Sequence, residues 1–266
     1  MGKKIVNGCE FYYEIHGQGD PLVLIMGLRR NAEWWYRQIP ELSRHFQVIV
    51  FDNRGAGRSD KPVMEYSMQL FAQDTAGLME ALDVPDAHIL GVSMGGYIAQ
   101  ELALNYPSKV RCLVLGCTGC GGDRAVIMSP ERMEKFTANK GLKPEEILRK
   151  DMDIYFSDHY VSQYPDKIEE FVEISMRHYQ PADAFFRQFD ACQRHDTGNR
   201  LNQLSLPTLI MTGDDDPLVP PQNSHILEKL IAGAELSVFA GGRHCFFIEY
   251  ADGFNQKTVD FLKASS

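Results

Sequence analysis

Short apolar runs bounded by Gly, Pro or Asp alternate along this chain with longer amphipathic stretches, the pattern of strands feeding helices in a mostly parallel sheet. Lys3 to Val6 and Phe11 to Ile15, separated by Asn7-Gly8, predict an opening hairpin, because Asn-Gly supplies the positive φ angles of a tight turn. Leu22 to Met26, Val48 to Phe51, His88 to Val92, Val110 to Leu115, Thr208 to Met211 and Leu236 to Phe239 predict the further strands. Several are apolar at successive positions, as expected of strands covered on both faces. Helical periodicity runs over Ser67 to Leu82, opened by a capping serine, and over Gly96 to Leu104, which Pro107 ends. Within the second, Ile98, Ala99, Leu102 and Ala103 lie on neighbouring faces. Pro221 to Leu230 and Phe254 to Leu262 predict two more helices. The expected fold class is therefore α/β, an eight-stranded, mostly parallel sheet with helices on both faces.

From about Asp123 to Arg200 the alternation stops and successive helical segments take its place. Ser129-Pro130-Glu131, Pro144-Glu145-Glu146 and Pro181-Ala182-Asp183 each put Pro in a first turn and an acid near the positive end of the helix dipole. The expected organisation is a core of residues 1–122 and 201–266 carrying a helical lid over 123–200. Its stripe of aromatic and methionine side chains, including Met133, Phe136, Tyr155, Phe185 and Phe189, supplies a core of its own. Some of these side chains should also face a ligand, since open α/β sheets bind ligands beyond the C-terminal ends of their strands.

At 266 residues, with 44% hydrophobic and 24% charged residues, the chain has the length and apolar content for one large domain with an insertion. A net charge of −9, without a Lys/Arg cluster, opposes nucleic acid and anionic membrane surfaces as partners. No stretch approaches the ~18 consecutive apolar residues of a membrane span, and the first six residues lack a secretory signal. A cytoplasmic protein acting on a small molecule is expected. The six cysteines read as free thiols, and Cys117-Thr118-Gly119-Cys120 lacks the second ligand pair of a closed zinc site. Neither metal nor cofactor is called for.

The chemistry concentrates in Gly91-Val92-Ser93-Met94-Gly95, which directly follows the apolar run Ile89-Leu90 and directly precedes a helix. A serine there sits on a turn too tight for side chains at its flanks, with its hydroxyl projecting from the sheet. The alternative is a glycine-rich turn cradling a phosphate at a helix N-terminus. A serine hydroxyl needs a base within reach, and that base needs a third group to fix its tautomer. Thr212-Gly213-Asp214-Asp215-Asp216-Pro217 and Gly241-Gly242-Arg243-His244 each follow a late strand, where an acid and a base would stand. His244 is the candidate base. The residues alone leave open which of Asp214, Asp215 and Asp216 is the acid.

With these motifs the whole chain resembles the α/β-hydrolase superfamily, especially its small esterase, lactonase and carbon–carbon bond hydrolase branches with a helical lid. Asp52-Asn53-Arg54-Gly55-Ala56-Gly57-Arg58-Ser59 is similar to the family's D-x-R-G-x-G-x-S turn, and Gly213 to Pro220 to its G-x-x-D-x-x-x-P acid loop. The resemblance implies Ser93 as nucleophile, His244 as general base and Asp216 as the acid, and leaves Asp52 and Arg54 structural. It also implies an oxyanion hole from the Met94 N–H and an N–H after the first parallel strand. There Met26-Gly27-Leu28 stands where the family usually has His-Gly-x, making Leu28 the candidate. Arg29-Arg30 and Trp34-Trp35 are candidates to shape the pocket. The activity implied is hydrolysis of an ester, lactone or thioester of a small to medium hydrophobic substrate through an acyl-serine. A carbon–carbon bond hydrolase with the same triad and a non-turnover ligand receptor are the alternatives. A serine in the elbow disfavours dehalogenase and epoxide hydrolase chemistry, where the resembling families carry Asp.

Overall fold

The predicted hairpin forms as Gly2–Val6 (β1) and Cys9–His16 (β2), with φ of 49° at Asn7 and 70° at Gly8. The structure is a computed structural model that describes residues 1–265. The remaining strands are Pro21–Ile25 (β3), Gln47–Phe51 (β4), Ala87–Val92 (β5), Val110–Gly116 (β6), Thr208–Gly213 (β7) and Glu235–Phe239 (β8). They join one eight-stranded sheet in the order β1-β2-β4-β3-β5-β6-β7-β8. The β1–β2 and β2–β4 pairings are antiparallel, and every pairing from β4 to β8 is parallel.

Apolar residues at successive positions reflect two separate cores. Leu22 and Leu24 of β3 enter one apolar cluster, while Val23 and Ile25 enter the other. Every second residue thus points to the opposite face, and both faces are dry. The helices are Ile39–Leu42 (α1), Met68–Ala81 (α2), Met94–Asn105 (α3), Pro130–Thr137 (α4), Pro144–Lys150 (α5) and Met152–Tyr155 (α6). They continue as Asp158–Gln163 (α7), Pro165–Arg177 (α8), Ala182–Gln193 (α9), Gln222–Leu230 (α10), Phe246–Glu249 (α11) and Ala251–Ala264 (α12). Helices α2, α3 and α10 cover one face of the sheet, and α11, α12 and the segment around Trp34 and Trp35 cover the other.

Most of the predicted helix starts fall where the capping signals put them. Ser67 accepts a hydrogen bond from Leu70 N, and Ser129 one from Arg132 N. Helix α3 differs: it begins at Met94, immediately after the serine, and takes Gly95 and Gly96 into its first turn. Low helix propensity is overridden there by packing against β3 and β6. Helix α12 begins at Ala251, earlier than the periodicity shows, and α8 opens at Pro165-Asp166 with a proline followed by an acid, as α4 and α5 do.

Between β6 and β7 the described residues hold six α-helices, α4 to α9, and no strand. An antiparallel bridge between Gly121 and Asp196 brings the two ends of this insertion together. The Asp52 to Ser59 turn is tied down internally. Asp52 accepts from Ala32 N at 2.8 Å and Arg58 N at 2.7 Å, and Arg54 forms a two-pronged buried pair with Asp74 at 2.7 Å. Bidentate geometry is what allows those charges to stay buried.

Candidate active site

The β5–α3 junction is closed by backbone contact. A Cβ on Gly95 would lie 2.0 Å from Ile25 O, and one on Gly91 2.2 Å from Gly95 O, so strand and helix approach more closely than any side chain permits. Ser93 between them has φ 55° and ψ −124°, a conformation that a non-glycine residue holds only when its surroundings over-determine it. Those surroundings are Ser93 N donating to Gly116 O at 2.9 Å and Thr118 Oγ1 donating to Ser93 O at 2.8 Å. The serine side chain then lines a cavity of ≈ 200 Å³.

His244 lines the same cavity from the β8–α11 loop. Its Nδ1 lies 2.8 Å from Asp216 Oδ2, and both residues are buried. The other Asp216 oxygen accepts from Leu218 N at 2.8 Å and Val219 N at 3.0 Å, so each carboxylate oxygen has a fixed partner. Asp214 and Asp215 turn elsewhere: the first accepts from Gly241 N at 2.6 Å and the second pairs with Arg243 at 2.9 Å. Ser93 Oγ makes no hydrogen bond with His244 in this structure.

The histidine loop is anchored to the insertion. His244 N donates to Ile154 O and Cys245 N to Tyr155 O, and the Arg243 guanidinium reaches Asp153 O, Phe156 O and the Asp158 carboxylate. Sequence reasoning missed these ties. Carbonyl acceptors in a helical insertion leave no residue-type signature.

On the opposite wall, a Cβ on Gly27 would lie 3.0 Å from Ser93 Cβ, which brings the following residues against the serine. Leu28 and Met94 both line the cavity. Met94 is the first residue of α3, so its N–H has no partner within the helix. Arg29 adopts φ 72° and donates its backbone N–H to Gln188 Oε1 in α9 at 3.1 Å. Gln188 in turn donates to Arg54 O at 2.8 Å, a link that pattern reading did not find. The two tryptophans separate: Trp34 lines the cavity, while Trp35 is fully buried against Phe247.

Cys117, which the sequence marked only as half of a C-x-x-C spacing, lies beside the Asp216–His244 pair. Its thiol, the Asp216 carboxylate and the His244 ring offer ligand atoms within 4.8 Å of one another. Burial, and then the neighbouring Asp216 charge, hold that thiol well above the usual cysteine range, so it stays protonated. The other two groups are already hydrogen-bonded to each other. Cys120 points into the opposite apolar cluster, so the C-x-x-C spacing does not converge on one point.

A serine on a strained strand-to-helix turn, facing a cavity with a buried carboxylate–imidazole pair, on a mixed sheet covered by helices, defines an α/β-hydrolase architecture. The chain belongs to the alpha/beta hydrolase fold family, whose model matches residues 20–251. It is 30% identical over 253 residues to the Azorhizobium caulinodans protein named carbamate hydrolase RutD, with 95% of each chain covered. Among solved structures it is similar to the enol-lactonase of Burkholderia xenovorans, with TM-score 0.88, 25% identity, and 98% and 100% of the two chains covered. It is also similar to the meta-cleavage product hydrolase of Pseudomonas fluorescens, with TM-score 0.84, 29% identity, and 100% and 98% covered. No helix among the described residues is long and apolar enough to cross a membrane.

Proposed function

We propose that this chain is a serine hydrolase that cleaves a carboxylic ester, lactone or thioester of a small to medium substrate, with helices α4 to α9 as its lid. The observation that carries this reading is the buried 2.8 Å contact between His244 and Asp216, facing the same cavity as a serine in a strained turn. In the reading, Asp216 accepts the Nδ1 proton of His244, which leaves Nε2 free to take the Ser93 hydroxyl proton as Oγ attacks the carbonyl carbon. Charge developing on the carbonyl oxygen falls to the Leu28 and Met94 N–H groups. His244 then returns its proton to the departing alcohol or thiol, leaving an acyl-serine. A water molecule, deprotonated by His244, attacks the acyl carbon and releases the acid and free Ser93. Apolar walls from Met26, Val92, Phe136, Phe189 and Leu218 support a substrate with a hydrophobic body.

Ser93→Ala tests the assignment. Covalent labelling by a fluorophosphonate should disappear, and hydrolysis of p-nitrophenyl esters should fall at least about 10³-fold. Undiminished ester hydrolysis by that variant refutes it. The likeness to the meta-cleavage product hydrolase favours a second reading, in which the same three side chains cleave a carbon–carbon bond of a vinylogous diketone. Comparing rates on a diketone of that kind and on simple esters separates the two.

A further inference from the structure

Arg29 and Arg30 line the cavity that holds Ser93 and His244, yet they are 8% and 7% exposed. Among the described residues neither forms an ion pair. The Arg29 guanidinium makes no hydrogen bond. It lies over the Phe185 ring, 4.3 Å from the centroid, with Phe136 at 6.0 Å. Arg30 lies 4.0 Å over Trp34 and spends one N–H on Tyr155 Oη at 2.7 Å. Asp151, the acid whose charge reaches both, is 2.8 Å from Lys150 instead.

Rings hold a guanidinium by its face and leave the edge, where its five N–H donors lie, unused. Contact with aromatic faces offsets part of the desolvation of a cation but leaves the donors without acceptors. The direction of Arg29 is fixed as well, because its left-handed backbone is held by Gln188 from across the cleft. Two preset, nine-tenths buried cations facing a mostly apolar chamber are complementary to a ligand with an apolar body and an anionic end. Planar two-pronged donors match the geometry of a carboxylate.

Taking the Ser93 cavity as the substrate site, we propose that Arg29 and Arg30 form a carboxylate subsite, so that the preferred substrate carries a free carboxylate apart from the bond that is cleaved. The two arginines then set specificity. A neutral substrate of the same shape would leave the donors unpaired, and discrimination against it would be large for that reason.

Calorimetry on the Ser93→Ala protein, which cannot turn the ligands over in this reading, tests the subsite with monomethyl adipate against dimethyl adipate. The monoacid should bind at least about tenfold tighter. Arg29→Met, which keeps the apolar stem, and Arg30→Met should each weaken the monoacid relative to the diester and so shrink that preference. Equal binding of the two ligands by the Ser93→Ala protein overturns the proposal, a result that needs no arginine variant to fold. So does failure of the monoacid to bind, or a preference that survives both substitutions. Should the parent enzyme hydrolyse neither ester while the binding preference stands, the ester reading falls and the carboxylate subsite remains. Ser93-dependent hydrolysis with no preference gives the reverse.

Discussion

Three consecutive aspartates follow β7, and their partners sort them. Asp214 holds the backbone of Gly241, Asp215 holds the Arg243 side chain, and Asp216 alone reaches the His244 ring. Chemical type is identical at all three positions, so the sequence could not rank them without the resemblance to a known acid loop. Their surroundings differ because the turn after Gly213 sends successive side chains in different directions. If Asp216 fixes the histidine tautomer, Asp216→Asn should cut kcat about 10³- to 10⁴-fold, since an amide in its place favours the wrong tautomer. Asp214→Asn should leave kcat within about threefold. Steady-state kinetics on one ester with both variants checks the contrast. The placement of Ser93 and His244 was legible in the sequence, because glycines flanking a serine mark a tight strand-to-helix turn and the histidine stands in a loop after the last strand. The unpaired state of Arg29 was not legible, for a partner's absence is a statement about space.

At the scale of elements, the strands and the longer helices follow from periodicity, and their ends follow from Ser67, Ser129 and the prolines near helix starts. The short helices α6 and α11 escaped the reading, since four residues carry less than two turns of pattern. Those two elements are where the insertion meets the histidine loop. Arg243 donates to the carbonyls of Asp153 in α6 and Phe156 just after it, and to Asp158 and Asp215, which fixes the loop from both sides. Arg243→Ala should therefore lower kcat about ten- to a hundredfold by loosening the ring that follows it, with fluorophosphonate labelling slowed but still present. Rates of labelling and of ester turnover, measured side by side, check this. A fall in thermal stability with unchanged kcat would mean that the ties hold the fold and not the base.

Across the whole molecule, a net charge of −9 coexists with two unpaired arginines in the central cavity. The average governs encounters with large polyanions, and the local pair governs what a small ligand meets inside. A second buried group links pH to global stability. His195, where the insertion returns to the core, packs on Tyr97 of α3 at 4.4 Å between centroids. Burial pushes its pKa down to about 4 from the ordinary 6.5, against the opposing pull of Glu101. The unfolded chain therefore binds the extra proton first. The stabilisation is whole above pH 6.5 and is lost as pH falls toward about 4, on the order of 3 kcal/mol in all. Urea unfolding of the parent protein and of His195→Gln across that range should show a shallower slope in the variant. Identical slopes would rule the histidine out as the source.

Local pattern by itself determined the strand and helix order, the helical insertion and the serine turn, because propensity, periodicity and glycine placement act over a few residues. Tertiary structure alone decided that Cys117 sits beside the Asp216–His244 pair, and that Arg29 and Arg30 are buried among rings without acid partners. Most of those relations join residues from about thirty to more than a hundred and fifty positions apart, and what sets them is how β3, β7, β8 and the insertion pack, which no single stretch of chain encodes.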